Sequence, residues 1–260
     1  MSGWTLAATG LTFKIGSKAL ISGVTCTLPA GKVSAIIGPS GSGKSTLLRC
    51  LASTYKPSSG TVTADGQLLK KLGDTYRARL GYVPQDDVVH QELKVEHELG
   101  FAARLRLDVA MPAEEREALV DRVIRELGLE RQRGQKIARL SGGQRKRVNI
   151  GIELLADPRV LLLDEPASGL DPATEEDLLG ILRRLAHQGR TVGLTTHSME
   201  YLDQVDQILV MMEGAMIYAG GQERLLRHFG IPHVADMFKT LRSAGVKHWA
   251  AAWAKAGKGA

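Results

Sequence analysis

Gly38-Pro39-Ser40-Gly41-Ser42-Gly43-Lys44-Ser45-Thr46 is the stretch from which this chain is read. An apolar run, Val33-Ser34-Ala35-Ile36-Ile37, precedes it, and Leu47-Leu48-Arg49-Cys50-Leu51 follows. Strand, glycine-rich loop and helix in that order are the setting that a G-x-x-x-x-G-K-[ST] phosphate loop requires. Its glycines let the backbone wrap with N–H groups turned inward, and the helix behind presents its positive end. Lys44 can then reach the β- and γ-phosphates of a nucleoside triphosphate, and the Ser45 hydroxyl can ligate Mg²⁺.

The 260 residues, 43% hydrophobic and 24% charged, predict one large domain, or one domain with an insert, around a sizeable core. A net charge of +6 suits nucleic acid, an anionic membrane surface or a nucleotide, and alone selects none of them. Cys26 falls in a predicted strand and Cys50 in the helix after the phosphate loop; both read as reduced core thiols, consistent with the cytosol. No apolar run approaches the ~18 residues of a membrane helix, and no signal peptide opens the chain. If the protein works at a membrane, something else is expected to span it.

Before the phosphate loop, Leu11, Phe13, Ile15, Val24, Cys26 and Leu28 alternate as in antiparallel strands with a turn at Gly16-Ser17. Phe13 is either a base-stacking ring or one more inward strand residue. From Asp86 to Leu140 the chain turns helical, with periodic apolar positions at Phe101, Leu105 and Leu107, then at Leu119, Val123, Ile124 and Leu127. Val160–Leu163 and Thr191–Thr196 are apolar enough for strands buried on both faces. A helix is expected over roughly Thr174 to His187, and another around Met199 to Gln204. Strand–helix alternation implies a mainly parallel α/β sheet. The expected organisation is a nucleotide-binding domain over 1–232, with a helical subdomain over about 86–155, and a helical tail over 233–260. The tail's apolar set, Phe238, Leu241, Trp249 and Trp253, suits docking back on the domain or contact with a partner or membrane surface.

Asp164 closes a buried strand, so its carboxylate emerges at the strand's carboxyl end, placed to hold Mg²⁺ directly or through water. Glu165, one residue on, suits a general base or water-orienting group on the far side of the γ-phosphate. His197 ends another strand and can donate to the γ-phosphate. Gln85 ends a third; its amide oxygen can ligate Mg²⁺, and the loop behind it leads into the helical segment. Ser141-Gly142-Gly143-Gln144 is a second anion site, a serine N-cap followed by glycines at a helix N-terminus. Two phosphate-binding turns therefore serve either one nucleotide or two.

Together, the phosphate loop, Gln85, Leu140-Ser141-Gly142-Gly143-Gln144, Leu161-Leu162-Leu163-Asp164-Glu165, Ser168-Gly169-Leu170-Asp171 and His197 resemble the nucleotide-binding domain of ABC transporters over nearly the whole chain. Arg145-Lys146-Arg147, Ile150–Leu155 and Val83–Val88 are most similar to the ABCG-type and ABC-2 exporter group. The resemblance implies a P-loop core with an N-terminal antiparallel β-subdomain and an inserted α-helical subdomain. It implies a Mg²⁺-dependent ATPase with ATP and Mg²⁺ as ligands. It also implies a head-to-tail homodimer or pseudo-dimer, in which Ser141, Gly142, Gly143 and Gln144 act on the other subunit's ATP and Asp171 lies at the interface.

A transmembrane permease, as a separate chain or severed domain, is the implied partner, at the cytoplasmic face of the membrane, with export as the direction. Ile15 stands where many members carry an adenine-stacking aromatic, and His97 where many carry a glutamate in the permease-facing segment. The alternative is a non-transport ABC ATPase acting on nucleic acid, ribosomes or cofactor assembly. The net charge of +6 keeps it open, against a helical segment too short for a long coiled-coil insert and a single such domain in the chain.

Overall fold

The structure, a computed structural model, describes residues 3–256. β1 (Leu6–Ile15) and β2 (Lys18–Leu28) form an antiparallel hairpin turned at Gly16-Ser17. β3 (Val33–Ile37) then delivers the chain to the phosphate loop and α1 (Lys44–Leu51). β4 (Ser59–Ala64) and β5 (Gln67–Leu68) complete a four-stranded antiparallel sheet in the order β2-β1-β4-β5. Two single-turn helices, α2 (Leu69–Leu72) and α3 (Asp74–Arg77), lead into β6 (Leu80–Val83).

Three longer helices follow: α4 (Val95–Arg106), α5 (Ala113–Glu126) and α6 (Gly142–Leu154). The chain continues through β7 (Val160–Leu163), α7 (Pro172–His187) and β8 (Thr191–Thr196). It ends with the hairpin β9 (Gln207–Met212) and β10 (Ala215–Gly220), then α8 (Gln222–Phe229) and α9 (Met237–Ala256).

The second sheet runs β10-β9-β3-β8-β7-β6, parallel throughout except where β10 meets β9. β3, β7 and β8 are buried at every position, as expected of strands covered on both faces. Their side chains alternate between two cores. Val33, Ala35 and Ile37 join the core built with the helices, whereas Ile36 joins the one shared with α1 and the antiparallel sheet. Each fully buried valine, leucine or isoleucine among them contributes about 1.5–3 kcal/mol. The sheet therefore holds the loops at the carboxyl ends of β3, β6, β7 and β8 on a rigid base.

Local chemistry sets the helix starts that matter. At α6, Ser141 Oγ accepts from Gln144 N at 3.3 Å, and Ser141 N donates to Gln144 Oε1 at 3.0 Å, a reciprocal cap. At α7, Asp171 Oδ1 accepts from Thr174 N at 3.0 Å, and Pro172 occupies the first turn.

Two expectations change. The helix around Met199 to Gln204 is a 3₁₀ turn over Leu202–Gln204 only. Ser198 N donates to Thr196 Oγ1 and Glu200 N to Ser198 Oγ, so side chains take the donors a helix would use. Phe101 and Leu105 are 49% and 87% exposed, because α4 buries Val95, Leu99 and Ala103 instead. The Phe13 ring, partly buried, stacks on Tyr55 with centroids 4.8 Å apart.

The tail docks back on the domain. Met237, Leu241 and Trp249 are buried, Trp249 meets Phe229 edge-on at 5.0 Å, and Trp253 lies 5.3 Å from Tyr218. α9 kinks at Gly245, whose φ of +72° suits a residue without a side chain. Residues 257–260 of the expected tail lie outside the described residues.

Candidate functional site

The phosphate loop is built by close approach of backbone. Gly38 and Gly43 adopt φ of +154° and +98°. A Cβ at Gly38 would meet the Met211 carbonyl oxygen and Ser42 Oγ, and one at Gly43 would meet Ile21 and the Leu20 carbonyl oxygen. The loop is thus pinned between β2 and β9. Lys44 Nζ is folded into it and donates to the carbonyl oxygens of Gly38 at 2.9 Å and Pro39 at 3.2 Å. Burial lowers the Lys44 pKa from its usual value, while Glu165 and Asp164 pull it back up. Ser42 Oγ is buried without a hydrogen-bond partner among the described residues. A cation and an unpartnered hydroxyl inside a wrap of backbone make a site suited to phosphate oxygens.

Asp164 is the hub beside it, 2% exposed at the end of β7. Its Oδ1 accepts from Ser45 Oγ at 2.8 Å and from Thr195 Oγ1 at 2.7 Å, and Tyr82 Oη lies 3.5 Å from Oδ2. Glu165 follows with φ of +46°, its N–H donating to Thr195 Oγ1 at 2.8 Å. Gln85 Nε2 donates to Glu165 Oε2 at 3.3 Å, and His197 Nδ1 lies 3.5 Å from the same oxygen. Lys44, Ser45, Gln85, Asp164, Glu165 and His197, drawn from four strand ends, therefore meet in one place.

The residues present fit a Mg²⁺ ion. The described residues contain no cluster of three His, Cys, Asp or Glu side chains that could cage a metal alone. What they offer is one hydroxyl and one carboxylate side by side, Ser45 and Asp164. Mg²⁺ is commonly held by a few such oxygens together with phosphates and water. Gln85 is engaged with Glu165 in this structure.

Ser141, Gly142, Gly143 and Gln144 are not drawn into this group; no hydrogen bond or ion pair among the described residues joins them to the phosphate loop. Their neighbour is the start of α7. A Cβ on Gly143 would strike the Thr174 methyl, and the Thr174 hydroxyl donates to Asp171 Oδ2 at 2.6 Å. The Thr174 hydroxyl first, and its backbone N–H second, hold the Asp171 carboxyl below the usual carboxylate range. The second anion turn and Asp171 thus form a separate face.

The family model described as ABC transporter matches residues 21–168, more than half of the chain. The chain belongs to the ABC transporter family. An ABC transporter ATP-binding/permease protein of Mycobacterium tuberculosis is 43% identical over 234 residues, covering 89% of this chain and 27% of that protein. ABC transporter G family member 28 of Arabidopsis thaliana is 38% identical over 229 residues, covering 84% of this chain and 20% of the relative. The chain thus spans only a minor part of these relatives' length.

Among solved structures, cbiO1 of Clostridium perfringens, part of the ABC transporter complex cbiONQ, aligns with a TM-score of 0.80 at 29% identity. The alignment covers 87% of this chain and 92% of that one. A dimeric ATP-binding cassette in a post-hydrolysis state with ADP and Pi aligns with a TM-score of 0.72 at 28% identity, covering 83% and 98%. The α/β core, the antiparallel sheet and the helices between β6 and β7 are those of an ABC ATP-binding domain of the group that includes the G members.

Sequence reasoning missed Thr195, Tyr82, Asp87 and Lys146. A threonine in a strand otherwise buried on both faces was the one available signal for Thr195, since a buried hydroxyl needs partners. Lys146 sits between Arg145 and Arg147 in what reads as a solvated run, yet it is 5% exposed.

Proposed function

We propose that this chain hydrolyses ATP to power transport, in the export direction, by a membrane permease, at the cytoplasmic face of the membrane to which that permease anchors it. The observation carrying this reading is the gathering of Lys44, Ser45, Asp164, Glu165, Gln85 and His197 at one end of the sheet while the Ser141 turn faces elsewhere. Half a site of each kind on one chain calls for a second copy, or a similar domain, arranged head to tail.

Entering phosphates would replace the Gly38 and Pro39 carbonyls as partners of Lys44, with the backbone N–H groups of residues 40–46 closing around them. Ser45 and Asp164, with Gln85, would hold Mg²⁺, which when bound supplies charge neutralisation on the phosphates. Glu165 would orient the attacking water or accept its proton, because Gln85 and His197 already constrain its carboxylate from two directions. His197 would donate to the γ-phosphate. The Ser141 hydroxyl and the N–H groups at the start of α6 would meet the γ-phosphate held by the other copy. Asp171 would lie at that interface.

Glu165→Gln tests the reading. ATP binding, followed with a fluorescent analogue, is expected to persist while hydrolysis falls about 10²-fold or more. Light scattering is expected to find a dimer in saturating ATP and a monomer without it. Wild-type hydrolysis by the variant, or a monomer under saturating ATP, would overturn it.

A further inference from the structure

We infer that Thr195 is a positioning residue that sets both acidic groups of the site with one hydroxyl. The inference rests on the proposed roles of Asp164 and Glu165 and adds what holds them. Thr195 is fully buried on β8. β7 and β8 run parallel with Leu163 opposite Leu194, so the next residue of β8 falls beside the carboxylates that leave β7.

A threonine hydroxyl has one proton to give. Glu165 N–H must donate, at 2.8 Å, so Thr195 Oγ1 accepts there, and its own proton goes to Asp164 Oδ1 at 2.7 Å. Both contacts are thereby fixed in direction. The other hydroxyl on Oδ1 is Ser45, which belongs to the phosphate loop and is the group assigned to the metal. Thr195 is free of that duty and remains on Asp164 when Ser45 turns away.

At Glu165 the effect is on the backbone. Its φ of +46° is a conformation that residues with side chains rarely adopt, and the bond to Thr195 anchors its peptide there. That backbone sends the carboxylate toward Gln85 and His197. Without the hydroxyl, the Glu165 peptide loses its anchor and the carboxylate loses its aim. The Lys44 cradle does not touch Thr195, so nucleotide affinity is expected to survive.

Thr195→Val keeps the shape and removes the hydroxyl; Thr195→Ser keeps the hydroxyl. ATP affinity, kcat and amide hydrogen exchange of the segment 164–168 would be measured for both, beside Glu165→Gln. Thr195→Val is expected to lose about ten- to a hundred-fold in kcat, to change ATP affinity by less than about threefold, and to exchange faster in that segment. Thr195→Ser is expected to recover most of kcat and the slow exchange.

A valine variant with wild-type kcat overturns the inference. So does a serine variant as impaired as the valine one, because the hydroxyl would then not be the active element. Should the valine variant fail to fold, Thr195→Cys, a weak donor, replaces it under the same criteria. If Glu165→Gln hydrolyses ATP normally, the assignment of Glu165 fails instead, a result distinct from failure at Thr195 alone.

Discussion

Lys146 Nζ donates to the backbone carbonyl oxygen of Gln85 at 2.7 Å. The same ammonium lies 2.8 Å from Asp87 Oδ1, so α6, which begins at the Ser141 turn, is fastened to the segment just after β6. Lys146→Met is expected to leave Asp87 with only Arg145, 3.9 Å away, and the Gln85 carbonyl without its donor. A loss of about 1–3 kcal/mol should follow, seen as a thermal midpoint lowered by several degrees. Steady-state hydrolysis should fall while nucleotide affinity holds. An unchanged midpoint would show that the bond carries little.

Gly143→Ala is expected to separate binding from assembly. The added methyl would push Thr174 away from α6, and Thr174 is what holds Asp171. ATP should still bind the isolated chain, because the phosphate loop lies apart from this turn. The ATP-dependent dimer of a Glu165→Gln background should weaken, as measured by sedimentation velocity. A double variant that dimerises as well as its parent would contradict the proposed interface.

Phe13→Ala separates the two readings of that ring. Since Phe13 stacks on Tyr55, its loss should cost about 1–3 kcal/mol of stability, as other aromatic truncations at partly buried sites do. The Michaelis constant for ATP should move by less than about threefold. A selective loss of ATP affinity at unchanged stability would return Phe13 to the base.

The docked tail should respond to acid. Burial first, with Arg224 adding to it and a backbone hydrogen bond at Ile217 opposing, holds the His228 imidazole below its ordinary 6.5. The unfolded chain therefore takes up this proton before the folded one as pH falls. The stability tied to neutral His228 is complete above 6.5 and declines below it toward the folded value. His228 packs 6.4 Å from Trp249 and 5.7 Å from Trp253, so tryptophan fluorescence can report the change. Emission is expected to shift to the red as the pH falls below 6.5, and His228→Phe should flatten that dependence.

The parts legible in the sequence were those whose chemistry is local. The phosphate loop, the Asp164–Glu165 pair after an apolar strand and the Ser141 turn need only spacing and a strand or helix beside them. Thr195 needed the register of β8 on β7, a long-range fact. Lys146 needed the segment after Gln85 to fold over it, which no helical pattern announces. Phe101 and Leu105 misled because α4 carries apolar side chains on two faces and only one packs. The Met199–Gln204 stretch misled because hydroxyls at Thr196 and Ser198 compete for backbone donors more effectively than propensity suggests.

β6 is the outer strand of the parallel sheet, and open strands invite neighbours to add themselves. Here the invitation is withdrawn. β6 has four residues, the Tyr82 N–H is taken by Glu153 Oε2 at 3.3 Å, and Pro84 has no N–H to offer. Arg106 grips the same Glu153 carboxylate through both oxygens, at 2.6 and 2.7 Å, and keeps it in place. Lateral growth of the sheet into a polymer is discouraged at this border, beside the strand whose continuation carries Gln85 to the site.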